Sequence, residues 1–81
     1  MTKVYEKAVK KLNEIGEKLS ARDFPFYVEI KHADGSYFKF ANAQFTTEVI
    51  DNVPFVLVWT EHCGYHAFFQ EDLDGWNQWP M

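Results

Sequence analysis

The chain has 81 residues, of which 47% are apolar, 25% charged and 19% aromatic, with a formal charge of −4 and a single cysteine. This balance describes one globular domain spanning 1–81 and excludes a disordered, collagen-like or disulfide-stapled chain. No charged-then-apolar leader and no apolar run near the ~20 residues that a bilayer demands is present, so a cytoplasmic location without membrane contact is the expectation. At this length only about 60% of the unfolded surface can be buried, and most large side chains are needed simply to build the core.

Residues 3–20 carry a helical period. Val4, Ala8, Leu12, Ile15 and Leu19 fall on one stripe, widened by Tyr5 and Val9. Thr2 is suited to cap the first turn, and Glu6/Lys10 and Glu14/Lys18 stand four apart on the solvated side. Pro25 favours extended backbone at Phe24, so the helix is expected to stop near Ser20 or Ala21.

Beyond Phe26 the period is two, and strands are predicted at about 26–32, 36–41, 44–50, 55–61 and 65–70. Asp34-Gly35 marks a tight hairpin, Asn42-Ala43 a second reversal, Asp51-Asn52 a third and Cys63-Gly64 a fourth. The run Phe55-Val56-Leu57-Val58-Trp59 is apolar on both faces, as in a strand covered on each side. Residues 71–81 read as an irregular acidic and aromatic tail, and truncation after Gln70 is expected to leave a folded domain. The fold class is α+β: one N-terminal amphipathic helix packed on a four- or five-stranded antiparallel β-meander. The order resembles cystatin-type and other small helix-on-sheet folds in topology alone, which implies nothing about activity.

Charge and aromatic mass are unevenly placed. All eight basic residues precede position 40, while residues 40–81 hold six acids and no base. Fourteen of the fifteen aromatic residues lie from Phe24 onward. The resulting expectation is a non-enzymatic protein–protein interaction domain without a cofactor that offers an acidic, aromatic C-terminal surface to a basic partner. Phe68, Trp76 and Trp79 are the candidate anchors, and Glu61, Glu71, Asp72 and Asp74 the candidate rim. In its most specific form this is a phage-encoded inhibitor of a host nucleic-acid enzyme. A homodimer through the last strand, Tyr65–Gln70, is an alternative, because that strand has no charge or proline guarding its edge.

The competing chemistry is a metal or thiol site at Glu61, His62, Cys63 and His66. A structural zinc needs four ligands, no second Cys or His pair completes the set, and His32 stands at another turn. The stretch Gln70, Asp72, Asp74, Gly75 starts like a calcium loop, but the required final Glu would fall at Met81. Direct nucleic-acid binding is not expected, since acids interrupt the helix lysines and the aromatic strands lie in the acidic half.

Overall fold

The computed structural model describes residues 3–19 and 24–81; the proposed cap Thr2 and the helix stop at Ser20 or Ala21 lie outside them. The helix α1 runs Lys3–Gly16, and the strands are β1 Phe26–His32, β2 Tyr37–Ile50, β3 Val53–Thr60, β4 Tyr65–Phe69 and β5 Leu73–Pro80. All ladders are antiparallel in the order β4-β3-β2-β1-β5. Strands β1 to β4 are a meander; β5 then returns to the free side of β1.

The helix is shorter than its apolar stripe. After Gly16, Lys18 and Leu19 donate to the carbonyls of Ile15 and Gly16, three residues back, so the chain tightens out of α geometry. Gly16 itself is buried under the Tyr65 ring, where any β-carbon would clash.

Two further expectations need correction. The predicted strands 36–41 and 44–50 are one fourteen-residue strand, β2. Asn42 does adopt a positive φ of 52°, but its flanks stay paired, with β1 before it and β3 after it, so this one left-handed residue gives a bulge that bends the strand and does not reverse it. Asp51 and Asn52, with φ of 52° and 65°, form the true reversal into β3. The second correction concerns the tail. Residues 71–81 are not irregular: a 3-10 turn, Gln70–Asp72, leads into β5, which pairs with β1 from His32↔Leu73 to Phe26↔Pro80.

Strand alternation divides the core in two. Phe55, Leu57 and Trp59 of β3 face α1 and pack with Ala8, Leu12 and Phe24. Val56 and Val58 face the other way and join Val28, Ile30 and Ala43, with Phe40, Phe45, Phe68, Leu73 and Trp76 packed over them. This explains the strand that is apolar on both faces. The Trp59 indole N–H donates to the Leu12 carbonyl at 2.8 Å and pins the helix to the sheet.

The second face is concave. His32 of β1 lies level with Ser36 and Phe68 of β4 level with Thr47, three strand steps across, so in a flat sheet they would be about 39 Å apart, yet their rings meet edge-on at 5.4 Å. The bend in β2 produces this curl: Tyr37–Ala43 pair with β1, and Ala43–Ile50 pair with β3. Beyond the end of β1, β2 would have unpaired amides. The Gln78 side chain accepts from the Phe45 N–H at 3.0 Å, and the Met81 sulfur lies 3.2 Å from the Asn42 nitrogen.

The opposed charges of the sequence partly meet in the fold. Lys7 pairs with Asp51, and Lys11 with Glu48 at 2.8 Å, tying α1 to the β2–β3 end of the sheet. The Lys7–Asp51 pair is exposed and the Lys11–Glu48 pair part-buried, and exposed pairs contribute about 0.2–1 kcal/mol each. No helix among the described residues is long and apolar enough to cross a membrane.

Candidate interaction site

The β1–β2 turn and the 3-10 turn meet at one end of the sheet. Gly35, at φ 95°, lets the chain reverse; its N–H donates to the His32 carbonyl, and the Asp34 carboxylate accepts the Ser36 N–H at 2.8 Å. Those bonds with Ser36 hold the Asp34 carboxyl below its ordinary pKa. The Ala33 N–H donates to the Asp72 carbonyl at 3.0 Å and locks the two turns together. His32, Ala33, Asp34, Glu71 and Asp72 line a hollow of about 340 Å³ there. Asp74 follows two residues on, and all four carboxylate residues are exposed. Among the described residues none of the four lies in an ion pair.

Beside this hollow, on the concave face, lies a pocket of about 230 Å³ lined by Phe38, Phe40, Cys63, His66 and Phe68. Its rings stand in a near-parallel row: Phe38 on Phe40 at 14°, Phe40 on His66 at 26°, His66 on Phe68 at 20°. His32 closes the circuit edge-on to both Phe38 and Phe68, each at 5.4 Å. It therefore forms the partition between pocket and hollow. Its Nε2 is buried and has no hydrogen-bond partner among the described residues.

The structure thus gathers Phe68, Glu71, Asp72 and Asp74 at one end, and separates the other candidates. Trp76 pairs with Ile30 and lies half-buried on the concave core, whereas Trp79, three residues along the same strand, points to the opposite face. There it packs on Tyr27 at 5.8 Å, with the Lys39 ammonium 4.8 Å from the Tyr27 ring and 5.5 Å from the indole. The tail is thus not one anchor with a rim. Glu61 is also apart: its N–H donates to the Asn42 carbonyl, at the level of the sheet where β5 ends. The length of β5, about 23 Å at strand rise, lies between that level and the acidic hollow.

Asp34, His32, Phe38 and Phe40 were not singled out from sequence as site residues. The alternation of Ile30 and His32 on one face, followed by Phe38 and Phe40 after the turn, is the signal that places them together.

At Glu61–His66 the possible ligands of the described residues do not converge as a set of three. His62 Nε2 lies 2.8 Å from the Glu61 carboxylate, while His66 Nε2–H donates to the Cys63 carbonyl at 2.9 Å and its ring stacks on Phe40. Among the described residues no group of three His, Cys, Asp or Glu side chains is placed to hold a metal ion.

Near Trp79, Glu29 accepts from the Tyr37 hydroxyl at 2.6 Å and from Asn77 at 3.3 Å. The Tyr37 bond first, then Asn77, lowers the Glu29 pKa, and the same carboxylate raises that of Tyr37. A lowered carboxyl stabilises the fold above its ordinary pKa and loses that contribution as pH falls through the folded value; the raised phenol does the reverse at high pH. Tyr37→Phe is expected to flatten the loss of stability as pH falls from the ordinary carboxyl pKa through the lowered value of Glu29. Urea midpoints taken from pH 7 down to pH 3 check this, and identical profiles for the two proteins would contradict it.

A scan against protein-family models, a search of curated proteins and a search of solved structures each find no match to this chain.

Proposed function

We propose that this chain is a small non-enzymatic interaction domain that docks a basic protein surface at the end of the sheet where the β1–β2 turn meets the β4–β5 link. One observation carries the reading: Asp34, Glu71, Asp72 and Asp74 are exposed together beside half-buried aromatic rings. The acids Glu48 and Asp51, by contrast, are engaged by helix lysines. Unpaired carboxylates beside apolar area supply both attraction at a distance and selection of a basic partner. In its most specific form the domain is a phage-encoded inhibitor, with this end occupying the basic groove of a nucleic-acid enzyme; the complex then competes with duplex DNA for that enzyme. Homodimerisation through β4 is a second reading, favoured by its position as an outer strand without lysine or proline.

The test is selection of binders from an unbiased displayed peptide library. Selected peptides are expected to carry net positive charge. Glu71→Gln with Asp72→Asn and Asp74→Asn is expected to weaken them about tenfold without loss of fold, while Glu48→Gln with Asp51→Asn changes affinity less than about twofold. Equal binding by the first variant and the parent would contradict the proposal.

A further inference from the structure

We infer that the aromatic pocket and the acidic hollow are adjoining subsites for one extended peptide segment, the pocket taking a flat apolar side chain and the hollow a lysine or arginine two residues away. The inference rests on the docking reading above and names the partner's local chemistry.

Size decides the first half. At about 230 Å³ the pocket falls below the ~300–1,000 Å³ of small-molecule sites, and suits one side chain. Ring geometry decides which kind. Converging ring faces would make a cage for a quaternary ammonium, but here neighbours are parallel within 26°, and such a row accepts another flat ring in offset stacking. Among the described residues the pocket wall offers no carboxylate to a cation, since those that line it are Phe38, Phe40, Cys63, His66 and Phe68.

Charge decides the second half. Asp34, Glu71 and Asp72 surround the hollow, and His32, whose ring lines it, also touches Phe38 and Phe68. The two subsites are therefore one side chain apart. Residues i and i+2 of an extended peptide project on the same side about 7 Å apart, which matches a step over one imidazole. The occupant that satisfies size, ring orientation and charge together is an aromatic-x-Arg or aromatic-x-Lys segment.

The experiment titrates the intact, isotope-labelled protein with three capped heptapeptides, Gly-Ser-Phe-Ser-Arg-Ser-Gly, the same peptide with Ala for Phe, and the same with Glu for Arg. Amide shifts are followed by NMR. The first peptide is expected to bind with a Kd of about 1 mM or tighter, the Ala peptide about tenfold more weakly and the Glu peptide about fivefold more weakly. Phe38→Ser removes a pocket wall that is 45% exposed and so leaves the core in place. It is expected to abolish the advantage of the Phe peptide over the Ala peptide, whereas Glu71→Gln with Asp72→Asn abolishes the advantage of Arg over Glu. Equal affinity for the Phe and Ala peptides would overturn the two-subsite inference and leave acidic-end docking standing. Failure of the library-selected basic peptides as well would overturn both. Concentration-dependent shifts of the pocket amides without peptide would assign the pocket to a second copy of the chain and overturn the inference.

Discussion

Truncation after Gln70 is expected to unfold the protein. The removed segment takes with it most of the 3-10 turn and all of β5, which pairs with β1 along its whole length and places Leu73 and Trp76 over the concave core. Each large apolar side chain withdrawn from water contributes about 1.5–3 kcal/mol. Loss of β5 also uncovers Val28 and Ile30, both fully buried, and leaves the Phe45 N–H without the Gln78 acceptor. Against a total stability of about 5–15 kcal/mol, the sum is enough to abolish the fold. Far-UV circular dichroism and amide shift dispersion of residues 1–70 measure this. A truncated chain that retains cooperative unfolding would contradict the role given to β5. Complex formation must accordingly be tested by substitution in the intact chain, because a truncated one loses its fold together with its surface.

Trp59→Ala is expected to cost about 3–5 kcal/mol, the range for deleting a large buried aromatic, with a further penalty for the carbonyl left behind. Trp59 is 2% exposed, sits at the centre of the helix–sheet layer and is the donor to the Leu12 carbonyl. Trp59→Phe separates the two terms. It keeps most of the ring and removes the N–H, so it is expected to cost about 1–3 kcal/mol. Urea midpoints at constant m-value give both numbers. Equal destabilisation by Phe and Ala would assign the whole effect to the hydrogen bond and refute the packing role.

The helix, the hairpin at Asp34-Gly35 and the doubly buried strand β3 were legible because each is written in local periodicity or turn chemistry. The strand β5 was not. Asp74, Gly75, Asn77 and Pro80 all disfavour strand, and the segment is ordered by pairing with β1, more than forty residues earlier. The bend at Asn42 looks like a reversal in sequence for a related reason: whether one left-handed residue turns a chain or only kinks it depends on what pairs with its flanks.

The site divides along the same line. Glu71, Asp72 and Asp74 are visible as an acidic run, but their meeting with Asp34 and His32 is a product of the β1–β5 ladder. Nearness in sequence makes Trp76 and Trp79 one anchor only if the tail is irregular; as parts of β5, three residues apart, strand alternation sends them to opposite faces. Glu61 belonged to the group only by its charge.

The most direct test of the docking account is the amide shift map of the intact protein bound to a library-selected basic peptide. Perturbations concentrated at Ala33–Ser36 and Phe68–Asp74 are the predicted result. Perturbations confined to the Tyr27, Lys39 and Trp79 patch, or to the lysine-bearing helix, would contradict it.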